Sequence, residues 1–136
     1  MARTTVADVM TRRVIYLPDE TPLDEAAQAM RDQDIGDVVV THAATISGVV
    51  TDRDIVTRAI AENQSPQTTT LGAISSREVI MIEQSATVEE AMQAMRDRGV
   101  RRLLVCDADR KVVGIISLSD LALLPTSTTA PGPTPA

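Results

Sequence analysis

The chain is almost without aromatic residues: Tyr16 stands alone, and no Phe or Trp occurs among its 136 residues. Platforms that stack bases of RNA or single-stranded DNA are built on aromatic faces, so that class of function is disfavoured. Basic charge is also short. Thirteen Lys and Arg against 19 Asp and Glu leave a formal net charge of −6, whereas grip on a phosphate backbone comes from a basic footprint. An acidic chain can still hold a small anionic ligand with a few local cations. Cysteine is limited to Cys106, inside an apolar run, and histidine to His42. One cysteine rules out an intramolecular disulfide and fits a reducing cytoplasm. One histidine rules out a multi-histidine metal site. No apolar run approaches the roughly 20 residues that cross a bilayer, and Met1–Thr5 does not open a signal peptide, so a cytoplasmic, non-membrane protein is expected. Missing too are a histidine-bearing nucleophilic constellation, a metal cluster and a Gly-rich Lys phosphate motif. An enzyme is therefore not expected, and neither a catalytic cofactor nor a metal is.

What the chain does have is aliphatic. Its hydrophobic fraction of 43% is enough for a core of Val, Ile, Leu, Met and Ala, in one compact domain or two very small ones sharing a core. It also repeats itself. Ala29-Met30-Arg31-Asp32 recurs as Ala94-Met95-Arg96-Asp97, an offset of 65 (94 − 29), and Val14-Ile15 recurs as Val79-Ile80. From Gly48-Val49-Val50-Thr51 to Gly114-Ile115-Ile116-Ser117 the offset becomes 66 (114 − 48). One residue has been added to the second hairpin, where loop length is cheap to vary. Two repeats are expected, over residues 5–62 and 70–124, joined by a Ser/Pro/Thr-rich linker at 63–69. Residues 125–136 hold Pro, Thr, Gly and Ser without charge and are expected to be a disordered tail.

Each repeat reads as strand, helix, strand, strand, helix, an α/β (α+β) fold. Val14 to Leu17 is a strand ended by Pro18, and Thr21 caps a helix with Pro22 at its first position. Leu23, Ala26, Ala27 and Met30 share one helical face. Unbroken β-branched runs, Val38–Thr41 and Ile46–Val50, indicate strands covered on both faces, and a helix from about Asp52 to Ala61 closes the repeat. The second copy gives a strand at Val79–Ile82, a helix at Thr87–Arg98 with Val88, Ala91, Met92 and Met95 inward, a hairpin of Val100–Cys106 and Lys111–Ile116, and a helix through Leu124. A unit of under about sixty residues buries little surface alone, so the copies are expected to pack sheet to sheet with pseudo-twofold symmetry. Dimerisation is a further, ordinary step.

The repeated polar pattern follows the last strand of each copy: Gly48-Val49-Val50-Thr51-Asp52-Arg53-Asp54 and Gly114-Ile115-Ile116-Ser117-Leu118-Ser119-Asp120. One reading is a capping box, with Thr51 or Ser117 capping the helix and Asp54 or Asp120 at its third position. The other is a ligand site, where free N–H groups and a hydroxyl receive a phosphate and the carboxylate accepts two ribose hydroxyls. The two are compatible, since a capping hydroxyl can change partner. Tyr16 is expected as a partly buried structural anchor, Cys106 as a buried small hydrophobe, and His42 as a solvent-facing turn residue.

These motifs, with Asp8-Val9-Met10-Thr11, Ala29-Met30-Arg31, Gly36 and Val100-Arg101-Arg102-Leu103, resemble a tandem pair of CBS domains, the Bateman module, over about Val6 to Leu124. The Thr-Asp-Arg-Asp ending is similar to stand-alone bacterial members. The resemblance implies a regulatory or sensing module that binds an adenosine compound (AMP, ADP, ATP with Mg, or S-adenosylmethionine) in clefts between the repeats and signals to a partner protein. It implies that Asp54 or Asp120 holds the ribose, that Thr51 or Ser117 approaches the ligand, and that Val14, Ile15, Val79 and Ile80 line the base pocket. It further implies that Arg102 reaches the phosphates of the Asp54 cleft, and Arg53 adds another positive group beside the first motif. The counterpart of Arg102 is Asp37 and that of Arg53 is Ser119, so the Asp54 site is expected to be the better phosphate-bearing one. Members commonly carry Pro within the second strand; here Val38-Val39 and Leu103-Leu104 stand instead, which touches the strand edge more than the ligand chemistry. The alternative is a ligand-free structural adaptor or homodimerisation module in which the same residues are caps.

Overall fold

A computed structural model describes residues 3–122. In chain order the elements are α1 (Val6–Val9), β1 (Tyr16–Pro18), α2 (Leu23–Gln33), β2 (Asp37–His42), β3 (Thr45–Thr51) and α3 (Asp52–Asp54), which runs on into a π-helical turn, Ile55–Ile60. They continue with α4 (Leu71–Ile74), β4 (Met81–Glu83), α5 (Val88–Arg98), β5 (Arg102–Cys106), β6 (Val112–Ser117) and α6 (Leu118–Ala122). The β-α-β-β-α order read from the sequence is present twice, and each copy forms its own three-stranded sheet. The expected tail at 125–136 lies outside the described residues.

The described residues divide into two compact units: Arg12–Ile80, and residues 3–11 together with 81–122. In the first, β1 runs parallel to β2 and β2 antiparallel to β3, with Val38 opposite Val50 and Asp37 opposite Thr51. Val38, Val39 and Val40 are all fully buried, which is why this strand shows no alternation of polar and apolar residues. Leu23, Ala26 and Met30 of α2 pack onto the same core with Ile55, Ala59, Leu71 and Ile74. The second unit repeats the pattern: β4 is parallel to β5, β5 antiparallel to β6, and Arg102 faces Ser117 across the ladder.

The grouping crosses the sequence repeats. Residues 70–80, which begin the second repeat, lie in the unit of the first sheet. There Leu23 N–H donates to the Thr69 carbonyl (2.9 Å), Leu71 N–H to that of Thr21 (2.9 Å), and Ser76 bridges Val49. Residues up to Thr11 do the same in the other unit. Val88 N–H donates to Thr4 (3.1 Å), Val6 N–H to Ala86 (2.8 Å), and Thr11 bridges Ile115. Each repeat thus gives its lead-in to the unit that carries the other repeat's sheet. The glycine common to both motifs follows from this. A Cβ at Gly48 would stand 2.6 Å from the Ser76 carbonyl oxygen, and one at Gly114 2.8 Å from that of Thr11.

Several local expectations are corrected. The first strands begin later than read, at Tyr16 and Met81. Val14-Ile15 and Val79-Ile80 therefore precede the strands, although the Ile15 carbonyl already accepts from Val39 N–H at 2.8 Å. Thr21 does not cap α2; Pro22 takes the cap position. The carbonyls of Thr69 and Pro66 receive the first amides, Leu23 and Asp24, so no hydroxyl is needed. In the second copy Thr87, which matches Pro22 at the offset of 65 (22 + 65), does cap, in a reciprocal box with Glu90. Ala27 and Met92, read as inward, are exposed, because the face that meets the core is only three positions wide: Leu23, Ala26 and Met30, and Val88, Ala91 and Met95. Tyr16 is exposed rather than an anchor. His42 ends β2 instead of lying in a turn, and its Nδ1 sits 3.0 Å from Asp19 Oδ2. Cys106 is fully buried, as a small hydrophobe would be.

Candidate functional site

In the Arg12–Ile80 unit the site begins where β3 passes into α3. Thr51 is extended and buried, and its backbone N–H donates to Asp54 Oδ2 at 2.9 Å. Asp54 N–H returns a bond to Thr51 Oγ1 at 3.0 Å. This is the reciprocal box that the Thr-x-x-Asp spacing predicts. The other amides of the turn are engaged as well: Asp52 N–H by the Gly36 carbonyl (2.9 Å), Arg53 N–H by Asp52 Oδ1 (2.7 Å), Ile55 N–H by the Asp52 carbonyl. In this structure each amide from Asp52 to Ile55 has an acceptor within the fold. A phosphate at this place must be met by side-chain cations, or must displace a cap.

Asp54 keeps capacity beyond its cap. A carboxylate has about four acceptor positions, and the cap uses one, on Oδ2. Oδ1 has Arg58 Nε at 3.8 Å, and the Asp54 side chain keeps 19% of its surface exposed. Arg58 donates from Nη1 to the Ile74 carbonyl at 3.1 Å. Arg58 was not among the residues singled out from the sequence; the i, i+4 spacing from Asp54 on one helix was the signal that pointed to it. Ser75 and Ser76, pressed against Gly48, were likewise missed, because nothing local reveals that residues 70–80 fold back onto β3.

The predicted base-lining residues Val14, Ile15, Val79 and Ile80 are half-buried, and Arg53 is exposed. One open groove among the described residues lies elsewhere in this unit. It is a cavity of about 420 Å³ lined by Ala27, Arg31, Asp34, Ile35 and Val56 among others, and by none of the predicted site residues.

The other unit carries the matching motif. Ser117 N–H donates to Asp120 Oδ2 at 2.9 Å and Asp120 N–H to Ser117 Oγ at 3.1 Å. Arg102 lies in this unit, half-buried at the start of β5 and opposite Ser117. Among the described residues no group of three or more His, Cys, Asp or Glu side chains is placed to hold a metal ion, and no helix is long and apolar enough to cross a membrane.

A family model for the CBS domain matches residues 6–60 and again 71–125. Protein MK0525 of Methanopyrus kandleri is 34% identical over 123 residues, 89% of this chain and 62% of that protein, so the chain spans less than two thirds of that relative. Hypoxic response protein 1 of Mycobacterium tuberculosis is 32% identical over 120 residues, covering 88% of this chain and 83% of that one. Its crystal structure, with two coordinated zinc ions, matches with a TM-score of 0.66 over 88% of this chain and 97% of that one. The CBS domain pair of protein MJ0100, solved in complex with 5′-methylthioadenosine and S-adenosyl-L-methionine, matches with a TM-score of 0.74 at 24% identity, over 89% of this chain and 94% of that one. That last likeness is one of fold.

Proposed function

The chain belongs to the CBS-domain family as a tandem pair, and from that premise we propose that it is a cytoplasmic sensor that binds an adenosine compound at Asp54 and passes the change to a partner protein. CBS pairs are regulatory, ligand-binding modules and not catalysts. The observation that carries the reading is the half-buried Asp54 carboxylate, tied to its own cap through one oxygen and keeping acceptor positions for a second partner. A vicinal diol needs two such positions side by side, and the ribose of AMP, ADP, ATP or S-adenosylmethionine supplies the diol. The aliphatic groups of Val14, Ile15, Val79 and Ile80 would cover the base. The adenosyl ligands of the MJ0100 pair support the same class.

Phosphate, if the ligand carries it, falls to arginines, because the first-turn amides are engaged. Arg53 stands in the first motif where the second has Ser119. Arg102 is assigned to the Asp54 site on the family resemblance alone. The Asp120 site is accordingly the weaker of the two, empty or suited to an uncharged nucleoside. Magnesium would accompany ATP. Regulation further requires that the ligand bind two states of the module unequally.

The capping bonds themselves favour one second reading: a ligand-free adaptor or dimerisation module in which Thr51 and Asp54 only hold the helix start. Calorimetric titration with AMP, ADP, ATP and S-adenosylmethionine, with and without magnesium, separates the two when Asp54→Ala is run alongside. Saturable binding to the wild type, lost in a variant that still unfolds cooperatively, is the expected result. Silence across the panel from folded, ligand-free protein would leave the adaptor. Two equal sites, or a tighter Asp120 site, would remove the asymmetry.

A further inference from the structure

We propose that Arg58 is a positioning residue for the Asp54 carboxylate, and that it adds to the difference between the two motifs; the inference rests on the adenosine reading above. Three observations meet at this side chain. Its Nε lies 3.8 Å from Asp54 Oδ1, the oxygen that the capping box leaves over. Its Nη1 donates to the carbonyl of Ile74 at 3.1 Å, in a part-buried bond. Ile74 ends α4, directly before Ser75 and Ser76, which lie against Gly48 and Val49 of β3.

A guanidinium is planar and presents its donors in a fixed fork. Held at one edge by the Ile74 carbonyl, it presents another edge to Asp54. The carboxylate is then held by a hydrogen bond from the Thr51 amide on Oδ2 and faces the Arg58 charge 3.8 Å from Oδ1, while its remaining acceptor positions stay available. A group whose orientation is set before binding loses less freedom when a diol arrives. The same fork ties the ribose acceptor to the segment running into Arg77–Ile80, where the resemblance puts base-lining residues. One side chain therefore spans the two halves of the adenosine reading within a single unit. The helix that carries it is widened here: Ala61 N–H reaches back five residues to the Val56 carbonyl at 2.8 Å. Such π turns inside helices recur at functional sites. At the offset of 66, the residue matching Arg58 is Leu124 (58 + 66), whose aliphatic side chain has no donor to offer.

The test is titration of wild type, Arg58→Leu, Arg58→Gln and Arg58→Lys with adenosine and with AMP, each variant first shown to unfold cooperatively. A positioning residue acts on the ribose, which both ligands share. Arg58→Leu should weaken adenosine and AMP by the same factor, on the order of tenfold. Arg58→Lys should recover part of the loss, since one ammonium can serve Asp54 or the Ile74 carbonyl but has no rigid fork for both. Amide exchange at Ser75 and Ser76 should quicken in Arg58→Leu without ligand. Should Leu fail to fold, the Gln and Lys variants carry the comparison. Unchanged adenosine affinity in all three overturns the proposal. Loss confined to AMP also overturns it and makes Arg58 a phosphate ligand instead. A wild type that binds neither ligand moves the same comparison to ADP, ATP and S-adenosylmethionine; silence across all of them removes the adenosine reading, and the proposal with it, which separates that failure from a failure of Arg58 alone.

Discussion

At Gly48 the room left for a side chain is negative: an added Cβ would meet the Ser76 carbonyl at 2.6 Å and Ser75 Oγ at 3.0 Å. A backbone carbonyl in a bridged pair cannot swing aside as a flexible side chain can. Gly48→Ala should therefore destabilise the protein by about 1–3 kcal/mol, read as a lower midpoint in urea with the slope preserved. A midpoint equal to wild type would show that residues 75–76 are not held against β3. Thr51 makes a different residue-scale case. Its hydroxyl accepts from Asp54 N–H and is buried, so Thr51→Ala should cost about 1 kcal/mol, the ordinary worth of a cap. A cost near zero would mean that the box contributes nothing, and a reading of Thr51 as a cap would fail. Cys106 at 0% exposure is closed to the intersubunit disulfide that an exposed setting would have allowed.

Among the elements, α2 and α5 share one design with different ends. Both run eleven residues and finish on a left-handed residue, Asp34 at φ 56° and Gly99 at φ 65°. Glycine adopts that conformation without the Cβ penalty, and aspartate tolerates it better than most. Their buried stripes differ from the broader faces that helical spacing suggested, and α5 exposes the consequence. Met95 is 4% exposed and Met92 37%. Met95→Ala should cost about 2–5 kcal/mol as a core truncation, while Met92→Ala should stay within about 0.5 kcal/mol. Chemical denaturation of the two variants side by side checks this, and equal losses would put Met92 back in the core. Residues 63–69, legible only as a polar linker, act as part of an element too, because Pro66 and Thr69 supply the carbonyls that accept the first amides of α2.

For the whole molecule, the exchange of lead-in segments has a measurable consequence. Val6 is fully buried in the unit that holds β4, β5 and β6, where Thr11 bridges Ile115. Deleting residues 1–11 should speed amide exchange in β5 and β6 more than in β2 and β3, although Thr5–Thr11 belong by sequence to the first repeat. The reverse pattern would show that each lead-in packs with its own repeat. Homodimerisation is a second expectation at this scale. Val56 and Ile60, four positions apart on one helical stretch, are 58% and 52% exposed; adjoining exposed apolar residues, unlike single ones, mark surfaces that meet a partner. Sedimentation should find a dimer that Val56→Glu with Ile60→Glu dissociates. A dimer indifferent to that pair would place the interface elsewhere.

The sequence by itself determined the repeat, the order of elements, the aliphatic core and the capping boxes at Thr51 and Ser117. Each of these is local or periodic: a cap spans four residues, a helix face repeats within two turns, and an offset of 65 survives in the residue identities. Tertiary structure alone decided what brings distant residues together. Thr51 and Asp54 were legible from their spacing, but the pairing of Ser76 with Val49 and of Thr11 with Ile115 depends on chain segments folding onto a sheet far along the sequence. So does the bond from Arg58 to the Ile74 carbonyl, since a backbone acceptor carries no residue type to read. The engaged amides of Asp52 and Arg53 belong to the same class: sequence predicts a helix start, but which of its donors are already satisfied depends on the carbonyls the fold brings to it.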